Sequence, residues 1–313
     1  MFSFDTGLPI AKIIDPNNKK NKEVMIRYDA NVSRQPSKPI KKNDIWDLLG
    51  QTEVLKRSGS KRMDENERSK IEQWLYENEE PDDTIRDKYR GIKDDYDSMN
   101  GKEIVLHTGN IVPYPTTKEN QRDVIYISAP SGSGKSTWVS MYVTQYKKQF
   151  PKNKIFMFSR VTSDESIDSV KPIRIKLDQD IVDDPITTEE LKDSLCIFDD
   201  CDTIQDKEIK NAIIKLRNDL LETGRHTRTY ILATSHLLMN YKETRTLLNE
   251  ATSVVVFPSS GSHYHINRFM KVYAGMNNQQ IAKALALPSR WVMVHKSFPQ
   301  YILYSSGIYL LNG

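Results

Sequence analysis

Residues 123–137 read DVIYISAPSGSGKST. An apolar run enters a turn of small residues, and a helix-forming stretch opens at Lys135. The pattern G-x-x-x-x-G-K-[ST] describes the turn with one departure, Ala129 in place of the first glycine. The loop comprises Ala129, Pro130, Ser131, Gly132, Ser133, Gly134, Lys135, Ser136 and Thr137. Its two glycines let the backbone curl around a phosphate chain where side chains would collide. The helix amino terminus adds partial positive charge. Lys135 supplies a cation for the β- and γ-phosphates of ATP, and Ser136 a hydroxyl for Mg²⁺. A Gly/Ser linker ahead of a chance Lys-Ser would lack a strand before it and a helix after it.

The next informative stretch, 195–202, reads LCIFDDCD and begins about 60 residues after Lys135. A buried strand excludes charge from its middle, so carboxylates at its carboxyl end face the crevice where ligands bind in parallel sheets. Asp199 is the candidate Mg²⁺ ligand, and Asp200 the residue that polarises an attacking water. Asp202 remains an alternative base, because a glutamate is more usual at the second position. The spacing suits the additional-strand class of P-loop ATPases better than small-molecule kinases. Further on, Gly224-Arg225-His226 precedes TYILATSH, residues 229–236. Arg225 is a candidate arginine finger for a neighbouring subunit, a role worth about 10³–10⁵ in turnover, or else a cap on helix carbonyls. Ser235 is the candidate γ-phosphate sensor. His226 and His236 lack a third metal ligand at suitable spacing and are expected to pack or hydrogen-bond.

Working outward, residues 101–313 alternate short apolar runs (103–107, 123–128, 154–159, 173–177, 195–199, 229–234, 253–257) with helical stretches (135–149, 207–223, 237–250). That alternation predicts an α/β fold with a mostly parallel central sheet covered on both faces. Two helices over 263–274 and 278–286 and strands over 291–295, 301–304 and 308–311 close the chain, with a hairpin near 297–300. Residues 1–100 read as a small mixed accessory region: strands over 8–14 and 24–28, then polar helices over 43–55, 64–78 and 83–99 with narrow apolar stripes. Gly224 is placed to terminate the helix over 207–223.

Composition bounds the rest. The chain has 313 residues, net charge +3 and 28% charged residues, room for one large domain and an accessory one. No apolar run reaches the ~20 residues of a membrane span, and the start lacks a secretory pattern. Cys196 and Cys201 give neither a disulfide framework nor zinc spacing, which fits a reducing, intracellular setting. From residue 251 onward there is no Asp or Glu, while Arg268, Lys271, Lys283, Arg290 and Lys296 lie there. That stretch reads either as a DNA-facing surface or as a subunit contact.

Taken in order, SAPSGSGKST, LCIFDD, ETGRHTRTYILATSH and the closing NRFMKVYAG…SRWVMVHKSFPQYILYSSGIYLL resemble the poxvirus-type and giant-virus DNA-packaging ATPases of the FtsK–HerA superfamily. The resemblance covers about residues 120–311. It implies a RecA-like P-loop NTPase fold, a homo-oligomeric ring and ATP-driven translocation of double-stranded DNA into a capsid. It also implies a capsid or portal protein as a further partner, and a location in the host cytoplasm, a viral factory or the virion. It carries the Walker lysine and hydroxyl to Lys135 and Ser136 and the acidic pair to Asp199 and Asp200. Where the superfamily has Gln at the end of the fourth core strand, this chain has Ser235. A helicase would show a further motor domain or an aromatic stacking platform, and a small-molecule kinase an Arg-rich lid. A nucleotide-binding protein without turnover would follow if Asp200 were not a competent base.

Overall fold

The computed structural model describes residues 1–14, 24–30, 65–77, 81–89, 103–106, 109–119, 121–240 and 244–312. They divide into two compact units, Met1–Val112 with Ser305–Gly313, and Pro113–Tyr304.

The first unit opens with β1 (Phe2–Ser3), β2 (Leu8–Ile14) and β3 (Val24–Tyr28). Helices α1 (Glu65–Glu77) and α2 (83–89) and strands β4 (Glu103–Val105) and β5 (Asn110–Pro113) follow. One sheet has the order β1-β3-β2-β5, with Ile10, Ala11, Ile13 and Ile26 buried. β1 and β5 are too short for periodicity to register in the sequence. The expected helix over 43–55 lies outside the described residues, as does 90–99 of the one expected over 83–99. In α1 and α2, Ile71, Trp74, Ile85 and Tyr89 are buried, and Glu67 accepts from Lys88 at 2.6 Å and Tyr89 at 2.8 Å.

The second unit runs β6 (Val124–Ser128), α3 (Lys135–Gln149), β7 (Lys154–Ser159), α4 (Glu165–Asp168), β8 (Ile173–Ile175), α5 (Asp180–Asp183) and β9 (Ser194–Asp199). It continues α6 (Lys207–Thr223), β10 (Tyr230–Ser235), α7 (Arg245–Glu250), β11 (Ser253–Val256), α8 (His263–Val272), α9 (Asn278–Leu285), β12 (Val292–His295) and β13 (Gln300–Tyr304). The strand order is β13-β12-β11-β6-β10-β9-β7-β8. From β11 to β8 every pairing is parallel, and β12 and β13 add antiparallel strands at one side. β14 (Gly307–Asn312) pairs antiparallel with β4 in the first unit.

The central strands carry almost no charge because both faces are covered: VIYIS, YILATS and SVVV are buried at every residue. Helix α3 buries Trp138, Val139, Tyr142, Val143 and Tyr146, one stripe at helical spacing. In α6, Asp206 caps the amino terminus by accepting from the N–H groups of Glu208 and Ile209. β10 sits between β6 and β9, so an additional strand separates the phosphate-loop strand from the acidic strand. This is the expected α/β, RecA-like P-loop arrangement. The helix expected over 237–250 is confined, among the described residues, to α7. Ser235 Oγ accepts from the Leu237 N–H at 3.1 Å, and that turn occupies the backbone a helix would need. No helix among the described residues is long and apolar enough to cross a membrane.

Candidate functional site

The chain runs from β6 to β7 on one side and from β10 to β11 across β6 on the other. The carboxyl end of β6 is therefore the switch point where such sheets open a crevice. In the turn there, Gly132 and Gly134 have φ of 76° and 105°, left-handed conformations that L side chains resist. A Cβ on Gly132 would meet nothing within 4 Å, and one on Gly134 only the Phe257 ring at 3.8 Å. The glycines serve backbone shape, and the loop surface beside them accommodates a phosphate chain.

Lys135, the first residue of α3, is buried. Its ammonium donates to Ala129 O at 3.0 Å and lies 3.2 Å from Asp200 Oδ1 and 3.1 Å from His236 Nδ1. His236 Nε2 is 3.0 Å from Asp200 Oδ2. With Nδ1 accepting from the ammonium, the ring proton sits on Nε2 and points at the carboxylate.

β9 delivers the acids. Asp199 ends it, and Asp200 takes a left-handed φ of 44°, a strained backbone of the kind found where a side chain must be aimed. Thr234 at the end of β10 joins them. Its Oγ1 accepts from the Asp200 N–H at 2.9 Å and lies 2.8 Å from Asp199 Oδ1 and 3.0 Å from Asp200 Oδ1. One hydroxyl proton serves one carboxylate at a time. Ser159, in register with Asp199, donates to its Oδ2 at 2.9 Å. Burial raises the Asp199 carboxyl above its usual range, and the hydrogen bonds from Thr234 and Ser159 offset part of that.

Asp202 faces a different partner. Ser235 Oγ donates to Asp202 Oδ2 at 3.0 Å or to Leu237 O at 3.1 Å. Asp202 Oδ1 is buried with no hydrogen-bond partner among the described residues. Thus Thr234, rather than Ser235, touches the Asp199–Asp200 pair. Neither Thr234 nor Ser159 stands out in the sequence as a site residue, and His236, expected to pack or hydrogen-bond, does bond Lys135 and lies against Asp200. The available signal was that neighbouring apolar strands end in polar residues at the same edge.

The donor set fits Mg²⁺ and ATP. Ser136 in the first turn of α3 and Asp199 are oxygen ligands of the kind a hard cation takes alongside waters. The 15-residue helix α3 opens at the loop with Lys135 as its first residue, so its amino terminus adds partial positive charge there.

Arg225 lies elsewhere. It is exposed in the turn between α6 and β10, at the amino ends of the parallel strands. A strand's length, roughly 20 Å at about 3.3 Å per residue, separates it from the phosphate loop. With Lys118, Lys192, His226, Arg228 and Tyr230 it lines a groove of about 1030 Å³. Within one chain it meets neither Lys135 nor Asp200. The basic residues of the acid-free stretch also divide. Arg268 and Lys271 are exposed on α8 and Lys283 on α9. Lys296 donates to the α7 carbonyls of Leu248 and Asn249, and Arg290 reaches the phosphate loop, donating to Ser133 O at 3.3 Å.

No family model matches the chain. "Uncharacterized protein V3" of the Sputnik virophage is 45% identical over 226 residues, which is 70% of this chain and 90% of that protein. Among solved structures, the genome packaging NTPase B204 from Sulfolobus turreted icosahedral virus 2, in complex with sulfate, is 14% identical. It covers 61% of this chain and 98% of its own at a TM-score of 0.40. The pCW3 conjugation coupling protein TcpA, in a monomer form with ATPgS, is 12% identical and covers 66% of each chain at a TM-score of 0.42. Likeness at that level carries no weight beside the chain's own strand order.

Proposed function

We propose a function for a chain that belongs to the family of protein V3 of the Sputnik virophage: it is an ATP-hydrolysing motor that moves double-stranded DNA in viral genome packaging. The observation that supports this most is the gathering of Asp199 and Asp200 from the end of β9 and Thr234 from the end of β10 around Lys135, the first helical residue after the phosphate loop.

Bound Mg²⁺·ATP supplies the phosphoryl group and the cation that neutralises its charge. The residues do the rest. Lys135 leaves Asp200 Oδ1 for phosphate oxygens, an exchange of one charged partner for another. Asp200, still held by His236 at Oδ2 and turned by Thr234, then has Oδ1 available to take a proton from water. Asp199 and Ser136 hold the cation, and Ala129 to Thr137 cradle the phosphates. Ser235 holds Asp202 and marks the end of β10 as the place where hydrolysis is read. Arg225 completes the site of an adjacent subunit, which makes a homo-oligomeric ring the active form. On α8, Tyr264, Arg268 and Lys271 are exposed at helical spacing, a surface suited to duplex phosphates without reading bases. A capsid or portal protein is the further partner, and the setting is the interior of an infected cell or the virion.

The test is ATP hydrolysis by the full chain with and without duplex DNA at two salt concentrations, with Lys135→Ala alongside. Turnover that duplex stimulates, that falls with salt and that drops roughly 10²–10³-fold in the variant is expected. Turnover indifferent to duplex would remove the motor and leave the nucleotide site.

A further inference from the structure

The strands beside β6 divide the surroundings of the phosphate loop. On the β10 side lie Asp199, Asp200, Thr234 and His236. On the β11 side lie Phe257, 3.8 Å from the Cβ position of Gly134, and Arg290, whose Nη2 donates to Ser133 O. Arg290 is 157 residues from Ser133 in sequence; one tertiary contact holds its segment in place and one local hydrogen bond shapes it. Trp291 packs edge-on against Trp138 in α3, with ring centres 6.0 Å apart and an 81° interplanar angle. Ser289 Oγ donates to Trp291 O at 2.7 Å. The helix that begins with Lys135 therefore also positions Arg290.

A guanidinium has five N–H donors in a planar fork, and the contact with Ser133 uses one of them on a neutral carbonyl. Phosphate oxygens are stronger partners for the rest. No Asp or Glu occurs from residue 251 onward, so Arg290's own segment offers it no carboxylate. The acids on the β10 side set that flank as the terminal-phosphate end. A nucleotide lying along the loop then presents its nucleoside end to the β11 side.

We infer that Arg290 is a nucleotide-binding residue whose guanidinium takes the phosphate nearest the nucleoside, and so contributes equally to holding ATP and ADP. The inference rests on the nucleotide-site reading above. Calorimetric titration of the full chain with Mg²⁺·ATP and with Mg²⁺·ADP tests it, using the unmutated protein, Arg290→Ala, Arg290→Lys and Lys135→Ala. Arg290→Ala is expected to weaken ATP and ADP by the same factor, about tenfold for one charged hydrogen-bonding contact, with Arg290→Lys between it and the unmutated protein. Weakened ATP with unchanged ADP would overturn the assignment and make Arg290 a terminal-phosphate contact. Unchanged affinity for both, with Lys135→Ala still defective, would overturn it and leave the nucleotide site standing. No binding by the unmutated chain would overturn both.

Discussion

The two edges of the parallel sheet bury polar groups in opposite ways. At the amino ends, Arg122 and Asp123 are matched to neutral partners, while the more exposed Arg228 and Asp193 pair with each other at 2.7 Å. Arg122 donates to the carbonyls of Thr229 and Leu221, each at 2.8 Å, and burial pushes it down to about 10. Asp123 accepts from Tyr142 at 2.6 Å and from the Thr116 N–H at 2.9 Å, and burial pushes it up to about 6. At the carboxyl ends Lys135, Asp200 and His236 are matched to one another. A charge whose only partners are buried neutral groups cannot leave without stranding them. A lysine paired with a carboxylate can exchange that partner for a phosphate. Burial thus perturbs groups at both edges, and the kind of partner separates a fixed edge from an exchangeable one.

Arg225 is the residue that can break this contrast, because it sits at the fixed edge with a chemical role proposed for it. In the assembled protein Arg225→Ala is expected to lower ATP turnover by about 10³–10⁵ while calorimetric ATP affinity holds. Mixing it with Lys135→Ala chains should restore part of the activity, since each supplies what the other lacks. An unchanged rate would make the amino edge structural throughout. At the exchangeable edge, Lys135→Ala should cost roughly 10²–10³ in turnover, the scale of losing one preorganised electrostatic contact, together with nucleotide affinity. Retained affinity would mean that the Lys135–Asp200 pair is a structural tie.

Much of this contrast was legible in the sequence, and the missing parts share a cause. The strand before Ala129, the loop after it and the acids ending LCIFDD are each local patterns of apolar run, small residues and terminal charge. Thr234, Ser159 and Arg290 became visible as site residues only once register laid three strand ends together and the segment ahead of β12 returned to Ser133. Gly224 shows the same limit. It reads as a helix terminator, and it does follow α6, but with an ordinary helical φ of −61°. Its small size is required by Arg122, a hundred residues earlier.

The fixed edge also predicts a pH signature with two opposing slopes. Asp123, raised from 3.8 to about 6 by burial, keeps its proton longer in the folded protein. Its stabilising contribution is full below about 3.8 and is lost as pH rises to about 6. His295 hydrogen-bonds Ser253 at 2.8 Å and stacks on Tyr301, and burial lowers it from 6.5 to about 4. Its contribution is present above 6.5 and is lost as pH falls to about 4. Each amounts to about 3 kcal/mol at 1.36 kcal/mol per pKa unit, so the two contributions should nearly offset each other between pH 4 and 6. In urea denaturation across that window, Asp123→Asn should leave stability rising with pH and His295→Gln should leave it falling. Parallel slopes in the two variants would place the titration elsewhere.

The smallest effect tests how rigid the fixed edge is. A Cβ on Gly224 would lie 2.2 Å from Arg122 Nη1 and 2.5 Å from Leu220 O, so Gly224→Ala forces either the guanidinium or the helix end to move. The backbone conformation itself accepts alanine, which removes strain in φ as a cause and leaves overpacking, typically about 1–3 kcal/mol. If the Arg122 clamp is as fixed as its two carbonyl partners imply, urea denaturation should register that loss. The neighbouring Arg225 should then be displaced, so turnover of the assembled protein would fall while ATP affinity holds. A variant as stable as the unmutated chain would mean that the guanidinium yields freely. Neutral partners would then not be what distinguishes the two edges.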